Sequence, residues 1–118
     1  DDLRRDEDVS QVIESMQTYS AGRAVIVGGD FNLHTLTEPD GSQYARLLAE
    51  AGLTDACTAV GCTQPGRIDK FAYRSDATVT LAAVAWENVD ALFRRADGEK
   101  LSDHDPITVR FAWSASGQ

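Results

Sequence analysis

Ala24-Val25-Ile26-Val27-Gly28-Gly29-Asp30-Phe31-Asn32 is a continuous apolar run, closed by two glycines, that opens onto three residues of alternating polarity. A short β-branched run bounded in this way predicts a strand covered on both faces. Asp30 and Asn32 bracket Phe31, so strand alternation sends both polar side chains to one side and Phe31 to the other. A carboxylate and an amide that project together can position a water and donate a hydrogen bond to a phosphoryl oxygen. Taken alone, Gly-Asp-Phe-Asn is also an ordinary strand-to-turn punctuation, because Gly, Asp and Asn all favour turns.

Upstream, residues Asp1 to Tyr19 predict an amphipathic helix. Leu3, Val9, Val12, Ile13 and Met16 recur at three- and four-residue spacings, and acids crowd the N-terminal half, where the helix dipole favours them. Ser20-Ala21-Gly22 ends it. Downstream, Gly41-Ser42 predicts a second helix with Ser42 as N-cap, an apolar stripe of Tyr44, Leu47, Leu48 and Ala51, and Gly52 as its stop. Thr54 to Gly66 reads as loop. Strands are expected at Ile68 to Tyr73, Val79 to Trp86 and Ile107 to Trp113, the last with Ile107, Val109, Phe111 and Trp113 alternating with Thr108, Arg110 and Ala112. Arg94 to Lys100 reads as an exposed turn, and Ser114 to Gln118 as a polar tail.

Two further segments put acid-base groups at strand edges. In Ser102-Asp103-His104-Asp105-Pro106 one of only two histidines lies between two aspartates, directly before a strand. A neighbouring carboxylate raises a histidine's pKa and fixes its tautomer, which suits a general base for a water attacking phosphorus. In Arg67-Ile68-Asp69-Lys70 an aspartate opens a strand, where an ion pair with Arg67 or Lys70 is the plain alternative to a role in chemistry.

In order and in residue type, Gly28-Gly29-Asp30-Phe31-Asn32, Arg67-Ile68-Asp69 and Ser102-Asp103-His104-Asp105-Pro106 resemble the C-terminal motifs of the endonuclease/exonuclease/phosphatase family, the DNase I-like metal-dependent phosphodiesterases. The resemblance runs from about Ala24 to Trp113. It implies an α+β chain forming half of a four-layer α/β/β/α sandwich, with one mostly antiparallel sheet and helices on one face. Residues 1–118 would then be the C-terminal half of the catalytic domain, ending in a short tail.

The same resemblance implies roles. His104 would be the base and Asp69 the acid that orients it. Asp30 would align the attacking water or stabilise the leaving oxygen, and Asn32 would bind a phosphoryl oxygen. Asp103 would stand beside the metal and the phosphate. The cofactor implied is Mg²⁺ or another divalent cation such as Mn²⁺ or Ca²⁺. The family's principal metal-binding glutamate lies in its N-terminal half; Glu7, Asp8 and Glu14 precede the Asp30 strand on a helix and are no substitute. Lys70 stands where the family usually has an aromatic or histidine, and Leu33-His34-Thr35 replaces a proline-containing continuation. Both differences concern substrate contacts, and His34 reads as a surface-loop residue that could border the site.

Composition narrows the partners. The chain carries a formal net charge of −8 with 42% hydrophobic and 25% charged residues. That balance suits a globular chain and argues against passive adhesion to nucleic acid or anionic membrane. No apolar stretch approaches the roughly 18 residues of a membrane span, and no targeting peptide opens the chain. Cys57 and Cys62 are too few for a zinc site. Two unpaired thiols are the plain reading, but the short loop and Gly61 predict a Cys57–Cys62 disulfide, which would place the protein in a secreted or other oxidising compartment.

The expectation is therefore a metal-dependent phosphodiesterase of nuclease type, completed by an N-terminal half or a second copy across an apolar sheet face. A sphingomyelinase-like phospholipase C using the same residues is the alternative, favoured if aromatic side chains stand on exposed loops. A non-catalytic binding module that keeps the fold is the third reading.

Overall fold

The computed structural model describes residues 2–116, with the side chains of residues 2 and 3 left aside. Leu3 of the expected helical stripe and the last two residues of the expected tail therefore lie outside the described residues. Helix α1 (Asp2–Tyr19) leads into strand β1 (Val25–Asp30), helix α2 (Asp40–Ala51), strand β2 (Thr54–Asp55), helix α3 (Ala56–Val60) and strand β3 (Asp69–Arg74). A hairpin of β4 (Val79–Asn88) and β5 (Ile107–Ala115) follows, with a single 3-10 turn at Asp90–Leu92 between its strands.

All strand pairing is antiparallel, but the strands form two sheets where one was expected. One has the order β1-β3-β2, and the other is the β4-β5 hairpin. The Ser75-Asp76-Ala77-Thr78 connection turns the chain out of β3 before β4 can pair with it. Asp76 accepts from the backbone N–H groups of Ala24, Thr78 and Val79, which fixes that turn against the start of β1. The sheets meet through side chains: Tyr73 and Phe111 stack edge to face at 5.3 Å.

The core lies on one side of the three-stranded sheet. Val9, Ile13 and Met16 of α1 are buried with Tyr44, Leu47 and Ala51 of α2, Leu33, Leu53 and Ala72. The three helical residues of α1 follow the spacing read from the sequence, but Val12 is 40% exposed, so the stripe is narrower than expected. Arg74 fastens the helix ends to β3 by donating to the carbonyls of Arg23 (2.9 Å), Ala51 (2.6 Å) and Ser20.

Several boundaries shift for local reasons. Ser42 does not cap α2; the helix begins at Asp40, and Glu38 reaches forward to accept from Ser42 N and Oγ. Gly41 cannot carry a side chain there, since a Cβ would stand 2.9 Å from the Thr35 carbonyl oxygen. Gly52 ends α2 as expected, with φ 68° and its N–H on Leu48 O. The 54–66 segment, read as loop, contains β2 and α3, and Asp55 N-caps α3 through Thr58 N. Cys57 and Cys62 are disulfide-bonded across the end of α3. β5 runs on through Ala115, and Ser116 N donates to Thr78 O, so the polar tail is shorter than expected.

The largest correction concerns β1. Val25 and Val27 pack on the helices, whereas Ile26, directly opposite Tyr73, is 47% exposed. The strand is covered on one face only. Nearby on the open side, Leu81 and the 70%-exposed Trp113 border a hollow with Ile26. The molecule is plate-like, 50 × 43 × 23 Å, with a Cα radius of gyration of 15.7 Å. A compact domain of this length would have about 13.5 Å.

Candidate functional site

The register of β1 against β3 sets Asp30 directly opposite Asp69 at the end of the pair. Two carboxylates facing each other across a ladder repel, so this register is unfavourable unless a positive group stands between them. His104 does so. Its Nδ1 lies 2.8 Å from Asp69 Oδ2, and its Nε2 lies 3.8 Å from Asp30 Oδ2.

Close backbone approach makes this corner possible. Phe71, across the ladder from Gly28, lies so near that a Cβ on residue 28 would be 2.6 Å from its ring. β1 ends at Asp30, and Asn32 takes a left-handed conformation with φ 52°, which asparagine tolerates better than most residues. Its backbone N–H donates to Asp30 Oδ1 at 2.8 Å, holding that carboxylate while its other oxygen faces His104. Phe31 turns inward onto Tyr44, with ring centroids 5.9 Å apart. The following turn is tied down by the buried Asp40, which accepts from His34 N and from Arg5. The His34 N–H first, and Arg5 with it, hold the Asp40 carboxyl below the usual carboxylate range against the effect of burial.

His104 is partly exposed, so a water can reach it. Its pKa is raised above the ordinary imidazole value, first by the hydrogen bond to Asp69 and its charge, then by the charges of Asp103 and Asp30, with burial opposing. With Nδ1 facing the Asp69 carboxylate, the neutral ring carries its proton on Nδ1 and leaves Nε2 free to accept one.

Asp103 is exposed and is not among the residues converging on the imidazole; with His34, Leu36, Arg67 and His104 it borders a hollow beside that cluster. His34 is exposed and borders the same hollow. Asn32 joins the cluster through its backbone.

Neither Arg67 nor Lys70 takes Asp69. Arg67 pairs with Asp105 at 3.4 Å. Lys70 alternates to the core side, 5% exposed, with Nζ donating to Pro65 O and lying 5.0 Å over the Tyr44 ring. Burial lowers the Lys70 pKa, opposed by the charge of Asp55. Its expected part in substrate contact is thus replaced by a core role beside the Tyr44–Asp55 hydrogen bond of 2.6 Å.

The ligand-capable atoms of Asp30, Asp69 and His104 all lie within 4.8 Å of one another, close enough to share a divalent cation. An oxygen-seeking ion such as Mg²⁺ finds two carboxylates here, one of them already bonded to His104, and the third donor is an imidazole. That is short of its oxygen shell.

Sequence reasoning did not foresee what Asp105 binds. Besides Arg67, its carboxylate accepts from Lys100 Nζ at 2.7 Å and Asn88 Nδ2 at 3.0 Å. The position of Asp105 next to the histidine was visible, but its partners were not.

A second cleft also reaches His104, with Asp69, Phe71, Phe93 and Leu101 among its walls. Leu92, Phe93 and Leu101, on the segment between β4 and β5, are 79%, 47% and 61% exposed. Among the described residues, no helix is long and apolar enough to cross a membrane.

Comparison with known proteins adds one finding. Over 121 aligned positions the chain is 40% identical to proteins named sphingomyelinase from Mycobacterium bovis and Mycobacterium tuberculosis. The alignment takes in 91% of this chain and 24% of each relative, so the chain spans about a quarter of the length of the curated relatives it matches. No family model matches the chain, and no solved structure matches it. The chain itself is mixed α+β with antiparallel sheets.

Proposed function

We propose that this chain forms the C-terminal, histidine-bearing part of a DNase I-like, divalent-cation-dependent phosphodiesterase directed at a phospholipid of the sphingomyelin class. The observation that carries the reading is the Asp69–His104 bond of 2.8 Å with Asp30 on the opposite ring nitrogen. An attacking water gives its proton to His104 Nε2 as its oxygen bonds to phosphorus; the ester P–O bond to the lipid alcohol breaks, the departing alkoxide takes a proton from solvent water, and the imidazolium returns its own to solvent. Asp69 holds the ring and offsets the charge of the imidazolium that forms. Asp30 orients the water, Asn32 donates to a phosphoryl oxygen, and Asp103 stands beside the phosphate.

Three observations favour the lipid over nucleic acid. The matched relatives are named for sphingomyelin, the net charge is −8, and exposed Phe93 and Leu101 line the cleft that reaches His104, with exposed Leu92 next to Phe93 in the chain. Mg²⁺, Mn²⁺ or Ca²⁺ would supply Lewis-acid stabilisation of the phosphoryl charge, with its main ligand outside the described residues. The disulfide fits a secreted or other oxidising location.

The open sheet face is the surface on which the rest of the enzyme, or a second copy, would pack. The exposed area is 7441 Å², about 1,200 Å² above what scaling predicts for a compact monomer of this mass. At roughly 25 cal/mol per Å² for its apolar part, covering that surface is strongly favoured.

The test is release of phosphocholine from sphingomyelin vesicles, alongside cleavage of duplex DNA, by the enzyme containing this chain. Lipid hydrolysis that stops on chelation, returns with Mg²⁺ and falls by at least about 10³-fold in His104→Ala is expected. DNA cleavage without lipid hydrolysis would restore the nuclease reading. Vesicle binding with no hydrolysis under any cation would instead favour a binding module.

A further inference from the structure

His104 sits on a segment, residues 101–106, that has no regular secondary structure of its own. Within it, the His104 N–H donates to Ser102 Oγ at 3.1 Å. A hydrogen bond of 2.8 Å to Asp69 demands a ring placed to within a few tenths of an ångström, and such a loop does not provide that by itself. The placement comes from the next residue.

We infer that Asp105 is the positioning residue of this site: its carboxylate, held by Arg67, Lys100 and Asn88, pins the segment so that the His104 ring meets Asp69. Consecutive residues of the segment engage two residues at the entry to β3: His104 bonds Asp69, the first residue of the strand, and Asp105 bonds Arg67, two positions ahead of it. Two bonds from neighbouring residues, 2.8 Å to Asp69 and 3.4 Å to Arg67, form a two-point attachment that fixes rotation as well as distance. The other two arms fix depth. Asn88, at the end of β4, donates to Asp105 Oδ2 at 3.0 Å, and Lys100 donates to Oδ1 at 2.7 Å. A backbone bond from Val89 N to Pro106 O, 2.9 Å, continues the seam.

The clamp is itself braced. Asn88 Nδ2 also reaches Gln64 Oε1 at 3.0 Å, and Asn88 Oδ1 accepts from Asp90 N at 2.9 Å. The Asp105 side chain is 18% exposed, and its pKa is lowered to about 2 by Lys100 first and then by Asn88, with Arg67 contributing. It is therefore ionised throughout the working range. The polar partners of the Asp105 carboxylate are Arg67, Lys100 and Asn88 and not the imidazole, so it acts through the backbone it shares with His104.

This inference rests on the proposed role of His104 as base, and its test does not. In the full chain without substrate, at a pH where His104 is neutral, the ring ¹⁵N chemical shifts report which nitrogen carries the proton. The native chain is expected to show the Nδ1–H form. Asp105→Ala is expected to lose it in favour of the Nε2–H form that a free imidazole prefers, while Asp105→Glu restores it in part. Lys100→Ala, which removes one exposed arm, should shift the same signals by a smaller amount. In the hydrolysis assay Asp105→Ala should lower kcat by about 10- to 100-fold with KM within twofold, as expected for a misplaced rather than a missing group. A folded Asp105→Ala chain whose His104 stays Nδ1–H overturns the inference. Should Asp105→Ala not fold, Lys100→Ala and Asp105→Asn decide: unchanged ring shifts in both overturn it. Loss of the His104→Ala effect on hydrolysis would sink the base role and leave this result standing.

Discussion

At the scale of single residues, the site is a managed conflict. Asp30 and Asp69 are set face to face by a register that neither favours, and His104 between them is the group whose charge relieves it. The direction of the His104 pKa shift then has two opposite consequences. The protonated ring stabilises the fold below the ordinary imidazole value near 6.5, and that stabilisation is lost as pH rises through the raised native value. The proton-accepting form appears over the same window, so activity is gained where this stabilisation is lost. Replacing Asp69 by Asn removes the largest cause of the shift. The acidic limb of the kcat/KM profile should move down towards the ordinary value, and kcat should drop by about 10² or more; an unmoved limb would separate Asp69 from the titrating group. The His104–Asp69 pairing was expected from the resemblance to the DNase I-like family, and the placement of both motifs at strand edges agreed with it. Asp105 was not, since its partners lie 5, 17 and 38 positions away and the bonds depend on the path of the chain between them.

At the scale of elements, periodicity foretold the helices and strands that are long enough to show it. The α1 residues Val9, Ile13 and Met16, the α2 residues Tyr44, Leu47 and Ala51, and the alternation along β5 from Ile107 to Phe111 follow it, whereas Trp113 stands exposed. The 54–66 stretch failed because a two-residue strand and a five-residue helix are too short for any period. The one available signal was Asp55, an N-cap three residues ahead of Thr58. The both-sided burial expected of β1 failed for another reason: an apolar run shows what a strand can bury, not what is present to bury it. What joins the elements is Arg74, the donor to three carbonyls at the ends of α1, the approach to β1 and α2. Arg74→Ala should cost about 2–4 kcal/mol, given that hydrogen bonds from a charged donor contribute about 1.5–3 kcal/mol each and do not add fully. Urea unfolding should show a lower midpoint at unchanged slope. A midpoint that does not move would mean water replaces the guanidinium without loss.

At the scale of the whole molecule, the plate shape matters more than any one contact. Two sheets and their helices, 23 Å through, leave Ile26 of the three-stranded sheet and Trp113 of the hairpin in water. Apolar surface that is wet before unfolding makes no new hydration shell when the chain unfolds, and the heat-capacity increment reports new apolar hydration. An ordinary domain of 118 residues would show about 1.4–1.8 kcal/mol/K at 12–15 cal/mol/K per residue. Calorimetry on the lone chain should fall clearly below that range, and the increment should rise once the face is covered. A value inside the range for a monodisperse monomer would mean the face is already dry. A small increment also flattens the stability curve, so the lone chain would change little in stability between refrigerator and body temperature, and the same chain with that face covered would acquire the curvature of a normal protein.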